Sequence, residues 1–207
     1  MLVVHHVLAK ENQSSTKPCD ICYMVPIKRA LVDNEGILRL AYWEGNEKLK
    51  GEAVDVKTPA LESSPALLKP TFDVNRGFIL EGTIQVPNQK CGRLPGIYLE
   101  SGEERPTVIR VVSQGVSEIG TVKPDGSDFQ PRKAQAVWCG PAQIDREMKF
   151  GPTAHFRILV RHGMLEFYLD DTLFHIHSLT KPATGKIGIV GPAGSVSKLK
   201  AWQMNLQ

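Results

Sequence analysis

HFRILVRHGMLEFYLDDTLFHIHSLTKPATGKIGIVGPAGSVSKLKAWQMNL, residues 155–206, decides the fold of this chain. Five short runs of alternating apolar residues are separated by turn residues: HG at 162–163, DD at 170–171, KPATG at 181–185 and GPAG at 191–194. Period-two alternation cut by such turns predicts consecutive antiparallel strands of a β-sandwich.

Successive side chains of a strand point to opposite faces, so alternation assigns a core face. In 155–161, Phe156, Ile158 and Val160 oppose His155, Arg157, Leu159 and Arg161. In 164–169, Leu165, Phe167 and Leu169 oppose Met164, Glu166 and Tyr168. Upstream, Phe78, Leu80, Ile84 and Val86 oppose Ile79, Glu81, Thr83 and Gln85, while Ile97 and Leu99 oppose Tyr98 and Glu100. Each strand has one clean apolar face. The other carries Glu, Arg, Tyr and His among a few aliphatics, which is more than plain solvated surface.

Further outward the pattern continues. PGIYLES, TVIRVVSQ, SEIGTVKP and KAQAVWCG follow GFILEGTIQVP, giving about ten strands over residues 71–207, enough for two sheets around one core. The predicted class is all-β: a two-sheet antiparallel β-sandwich of the concanavalin A-like jelly-roll kind. Residues 1–70 read as N-terminal strands and a linker packing on the sandwich of 71–207. There ICYMVPIKRALVD and ILRLAYWEG flank the turn Asp33-Asn34-Glu35-Gly36, and GEAVDVKT is a further strand. The nearest helix candidate, LESSPALL at 61–68, holds Pro65. No repeat of propeller or solenoid length is visible.

The 207 residues are 42% hydrophobic and 23% charged, ordinary for a folded domain. A net charge of +3 with interleaved signs does not predict a nucleic-acid surface. No apolar run has the length of a membrane span, and MLVVHHVLAKENQSS lacks the basic and apolar regions of a signal peptide, so the sequence as given reads as cytoplasmic. Cys19 and Cys22 have half of a zinc-knuckle spacing without a second CxxC, and Cys91 and Cys139 stand apart, so reduced thiols are expected.

The run FRILVRHGMLEFYLDDTLFHIHS, followed by GKIGIVG and SVSKLKAWQMNL, resembles the C-terminal β-sandwich of glycoside hydrolase family 32, the invertases and levanases. LEFYLDD at 165–171 and VSKLKAW at 196–202 take the places of that family's paired strands, and PIKRALVDNEGILRL is similar to its propeller-to-sandwich link. More broadly the pattern resembles the concanavalin A-like lectin/glucanase fold. The family's propeller-borne catalytic motifs (WMNDPNG, RDP and EC) have no counterpart here. The resemblance therefore implies an accessory domain, with no residue inheriting a catalytic role.

Carbohydrate sites need apolar or aromatic faces for sugar C–H surfaces and planar polar groups for hydroxyls. Tyr98, Glu100, Arg110, Arg157, Glu166 and Tyr168 offer both, and would line one groove if their strands share a sheet; the alternative is a solvated face laced by ion pairs. Paired carboxylates would support hydrolysis, but Glu81, Glu100, Glu118 and Glu166 fall on different strands. His175 and His177 share a strand face without an evident third ligand, and Asp170-Asp171 reads as a hairpin turn rather than a calcium site. Trp43 reads as an interdomain contact. The expectation is a non-catalytic carbohydrate-binding or accessory module, with no cofactor or metal, partnered by an oligosaccharide or polysaccharide or by a catalytic propeller, and not by nucleic acid or membrane. A small glycosidase and a protein-interaction domain are the alternatives.

Overall fold

Alternating strands make a core only when the apolar faces of two sheets meet. The computed structural model describes residues 1–4, 6–8, 22–57, 64–88, 93–131, 143–145 and 148–206, and in it two antiparallel sheets stack in this way. The nine-stranded sheet runs β1 (Leu2–Val3), β4 (Lys28–Val32), β5 (Leu38–Tyr42), β16 (Thr172–Ser178), β15 (Met164–Leu169), β14 (Thr153–Arg161), β8 (Phe78–Gln85), β18 (Val196–Met204), β6 (Lys50–Val54). The seven-stranded sheet runs β12 (Gln130–Pro131), β11 (Val116–Thr121), β10 (Thr107–Ser113), β9 (Gly96–Ser101), β17 (Ala183–Val190), β7 (Ala66–Leu67), with β13 (Gln143–Asp145) also on β11. β2 (His6–Leu8) and β3 (Cys22–Met24) form a separate pair.

The core between the sheets holds the apolar sets read from the alternation. Phe78, Leu80, Phe156, Ile158, Leu165 and Phe167 come from one sheet, and Ile97, Leu99, Ile109, Ile119 and Ile187 from the other. The opposite registers form smaller clusters on the two outer faces: Ile79, Leu159 and Tyr168 on the nine-stranded sheet, Tyr98, Val108 and Val190 on the seven-stranded one.

The turns follow their chemistry. Asp170 and Asp171 join β15 to β16 with φ of 42° and 60°, the left-handed pair that a two-residue hairpin requires. A short Asp side chain tolerates that conformation, and Asp170 Oδ1 accepts the His155 N–H at 2.8 Å. Asp33 Oδ1 accepts the Glu35 and Ile37 N–H groups at 3.0 and 2.9 Å, closing the β4–β5 hairpin.

Two local readings differ from the sequence expectation. The strand over ILRLAYWEG stops at Tyr42 and a 3-10 helix, Glu44–Leu49, follows. The Trp43 ring lies where a side chain at Gly45 would be: a Cβ there would sit 2.3 Å from the indole. Ala66 and Leu67, within the weak helix candidate, form an edge strand.

The first strands do not extend the sheet flat. β5 meets β16 through one register pair, Thr172 with Ala41, and through the Tyr42 N–H on the Asp171 carbonyl at 2.8 Å. Lys28 of β4 nevertheless bonds Glu166 of β15, three strands away. In a flat sheet those strands lie about 14 Å apart, so the β4–β5 layer curls back over the outer face. Met24, Val25 and Pro26 then lie beside Leu159, Met164 and Met204, and together they line a mainly apolar pocket of about 190 Å³. Asn46 Nδ2 donates to the Ile27 carbonyl at 2.7 Å and fastens the strap to the 3-10 helix.

Candidate functional site

The six sequence-predicted residues divide between the sheets. Arg157 on β14 and Glu166 and Tyr168 on β15 belong to the nine-stranded sheet; Tyr98 and Glu100 on β9 and Arg110 on β10 belong to the seven-stranded one. All face outward, with the core between the two groups. They do not line one groove. Alternation reports inward or outward but not which sheet a strand joins.

The outer face of the nine-stranded sheet is closed. Lys28 Nζ contacts Glu166 Oε1, and both side chains are fully buried. Lys28 also donates to the Pro26 carbonyl, and the Tyr168 hydroxyl donates to Glu166 Oε2 at 2.6 Å. Burial pushes the Glu166 carboxyl up and the Lys28 ammonium down, each partly offset by the other's charge. Burial also raises the Tyr168 phenol, reinforced by the Glu166 carboxylate.

Beside this triad, Arg157 donates from Nε to Glu81 and from Nη1 to Asp171 at 2.6 Å, with its guanidinium 3.6 Å from the Tyr42 ring centre. Lys50 completes the cluster at 2.8 Å from Glu81 and 4.3 Å above the Trp202 ring. Burial works to raise the Glu81 carboxyl, but hydrogen bonds and charge from Lys50 and Arg157 outweigh it and hold it below the usual carboxylate range. Burial likewise opposes the charge on Arg157, and the Glu81 bond overcomes it, so its affinity for the proton rises. Sequence reasoning passed over Lys28. A lysine at the start of a strand reads as solvated, and only the fold-back buries it.

Among the described residues, the outer face of the seven-stranded sheet is less completely covered. A cleft of about 340 Å³ lies between the loop joining β11 to β12 and the chain around Leu94 and Gly191. Val108, Val122 and Val190 form its floor, continuous with the buried Tyr98. Phe129 forms a wall. Its ring lies over Gly120, where a Cβ would fall 2.4 Å from it, and the Arg110 guanidinium sits 3.5 Å from the ring centre. Arg110 is held by Glu118, with Nε and Nη2 each 2.8 Å from Oε2. Tyr98 is pushed up to about 12 by burial, with a further contribution from the Glu100 charge. Glu100 pairs with Lys186 at 3.3 Å.

The loop itself is pinned. Asp125 Oδ1 accepts the Ser127 N–H and hydroxyl at 2.9 and 2.6 Å, and the Lys123 N–H donates to the Ser127 carbonyl at 2.8 Å. Asp128 accepts from Arg105 Nη1 at 3.2 Å. The signal for this cleft in the sequence is PDGSDF at 124–129, a turn-rich stretch that the strand reading leaves out.

Each carboxylate weighed for hydrolysis has a cation of its own: Lys50 and Arg157 at Glu81, Lys28 at Glu166, Arg110 at Glu118, Lys186 at Glu100. His175 points into the sandwich, with Nε2 3.0 Å from Ser117 Oγ of the opposite sheet. No group of three or more His, Cys, Asp or Glu suited to a metal occurs among the described residues. Cys19, Cys91, Cys139 and Trp138 lie outside them, and Cys22 is described only as part of β3. No helix among the described residues is long and apolar enough to cross a membrane.

No protein-family profile and no curated protein matches the chain by sequence. The fold is that of known sandwiches. The chain is similar to a glycoside hydrolase family 32 structure from Bifidobacterium adolescentis, with a TM-score of 0.58 and 11% identity over 99% of this chain and 29% of that one. It is also similar to the Schwanniomyces occidentalis fructofuranosidase complexed with fructose (TM-score 0.54, 14% identity, 89% of this chain and 41% of that one). A third is the Aspergillus kawachii β-fructofuranosidase complexed with glycerol (TM-score 0.53, 13% identity, 98% and 36%). The chain spans less than half the length of these enzymes. The all-β sandwich expectation and the family 32-like fold resemblance both stand.

Proposed function

We propose that the chain is a non-catalytic β-sandwich module that binds carbohydrate or serves as the accessory domain of a glycoside hydrolase-like protein. The observation that carries the binding version is the cleft on the seven-stranded sheet. It has an apolar floor, an aromatic wall and planar charged side chains at its rim, on the less covered of the two outer faces among the described residues. Tyr98 and Arg110 serve it from beneath and from the side. Glu100 stands one register step along β9, where a longer glycan would pass. Arg157, Glu166 and Tyr168 hold the closed face together instead. The fold likeness to a glycoside hydrolase family 32 structure and to fructofuranosidases supports the same assignment.

Screening against fructans, glucans and galactans, followed by calorimetry at millimolar sugar, tests this function. Measurable binding to one class without hydrolysis is expected, and silence across all of them sinks the binding version. A second reading, a protein-interaction domain, is favoured by one feature. Met1, Val4, Met24, Val32 and Leu38 are more than half exposed on or beside the curled-back layer. Sedimentation across a concentration series checks it, and a strictly monomeric chain argues against this second reading.

A further inference from the structure

The open cleft also carries information about the charge of its ligand. Arg110 is neutralised by Glu118 at 2.8 Å, and Asp128 by Arg105 and Lys123 at 3.2 and 3.8 Å. That leaves two lining groups of opposite sign, Arg93 and Asp125. Among the described residues neither forms an ion pair, and Arg93 has no hydrogen bond. Asp125 uses Oδ1 for Ser127, which fixes the carboxylate and leaves Oδ2 to accept. A site with one spare donor fork, one spare acceptor and two lining charges of each sign, Arg93 and Arg110 against Asp125 and Asp128, matches hydroxyl groups, each of which donates once and accepts. An anionic ligand would meet the Asp125 and Asp128 carboxylates; a cationic one would meet Arg93 and Arg110.

We infer that this cleft is the module's sugar subsite and that its ligand is a neutral glycan. The C–H face of one ring packs against Phe129, which the buried Val108, Val122 and Val190 back, and its hydroxyls are shared between Arg93 and Asp125. This rests on the carbohydrate-binding function proposed above. The floor is rigid sheet and the loop is pinned by its own hydrogen bonds, so binding requires little ordering of the protein. The Ser127 hydrogen bonds also hold the Asp125 carboxyl below the usual range, so it remains an acceptor in mildly acidic solution.

The test uses the whole chain against a glycan array with neutral, uronate-bearing and sulfated arms, then calorimetry on the best ligand. A neutral glycan is expected to bind. Arg93→Ala and Asp125→Asn should each weaken it at least tenfold with an unchanged melting temperature, since both side chains are exposed and asparagine keeps the Oδ1 acceptor that Ser127 uses while losing the Oδ2 acceptor. Phe129→Ala should weaken it as well, while Glu52→Ala, on the edge of the other sheet, should bind as the parent does. Preference for the uronate or sulfated arm overturns the ligand class. Undiminished neutral-glycan binding by Arg93→Ala and Asp125→Asn overturns the subsite and leaves the carbohydrate function standing. Silence in every arm overturns both.

Discussion

Arg157 and Arg110 occupy corresponding positions on opposite outer faces of the sandwich. Each bonds a glutamate on a neighbouring strand, and each lies over an aromatic ring, 3.6 Å from Tyr42 and 3.5 Å from Phe129. Their surroundings differ. The Arg157 side chain is 8% exposed beneath the curled-back first strands, whereas that of Arg110 is 27% exposed at the edge of a cleft. The same trio of guanidinium, carboxylate and ring is therefore internal cement on one face and borders a cleft, the proposed binding surface, on the other. What decides between these uses is the covering layer, because desolvation governs both the energy of a charge pair and its access to a ligand.

The sharpest way to break this comparison is to unseat the closed face. Lys28→Ala strands the Glu166 carboxylate in a dry site, and removing one partner of a buried pair costs roughly 3–5 kcal/mol. Denaturant unfolding should show that loss. Replacing the triad together (Lys28→Met, Glu166→Met, Tyr168→Phe) should recover most of it, because no buried charge or hydroxyl is left unmatched. If Lys28→Ala costs less than about 1 kcal/mol, water reaches Glu166 and the face is not sealed.

Next in size is the direct contrast of the two arginines. Arg157→Met removes charge-assisted bonds to Glu81 and Asp171 from a buried site, an expected loss of roughly 2–3 kcal/mol. Arg110→Met on the open face should cost under about 1 kcal/mol, the range of exposed ion pairs. Equal losses in paired unfolding curves would erase the distinction between the faces.

The sequence could reveal the strands but not this contrast. Alternation in FRILVR and LEFYLD reported which side chains face the core, and the Asp170-Asp171 turn was readable from its residue types. Those signals are local, set by backbone period and left-handed turn geometry. The division of Arg157, Glu166 and Tyr168 from Tyr98, Glu100 and Arg110 depends on strand order, which is non-local. So does the burial of Lys28, which needs the chain at residues 24–28 to fold back across three strands. Phe129 escaped notice because its role comes from Gly120, nine residues earlier, whose bare backbone lets the ring lie on the sheet.

A smaller effect separates the faces by pH. Glu81 has a folded carboxyl below its unfolded value of about 4.5. A depressed acid contributes stability that is present above the unfolded pKa and lost as pH falls through the folded one. Unfolding free energy should therefore decline as the solution is acidified below about pH 4.5, and Glu81→Gln should flatten that decline. An unchanged acid limb in the variant would mean that Lys50 and Arg157 do not grip Glu81 as the geometry indicates.

The smallest stability change should come from the open face. Phe129→Leu keeps apolar cover over Tyr98 and Val122 but removes the ring beneath the Arg110 guanidinium. A partly exposed cation–π contact contributes about 0.5–1 kcal/mol, so the melting temperature should fall by only about 1–4 °C. Near-ultraviolet dichroism from the Tyr42–Tyr168 edge contact should not change, because that pair lies on the other side of the core. Affinity for the glycan should drop even so, since an aromatic wall presents a flat face to sugar C–H groups and a leucine does not. A small stability cost with a large binding cost is the signature of a surface held ready for a ligand. The reverse outcome, a large stability loss with binding intact, would make Phe129 a core residue and the cleft a by-product of packing.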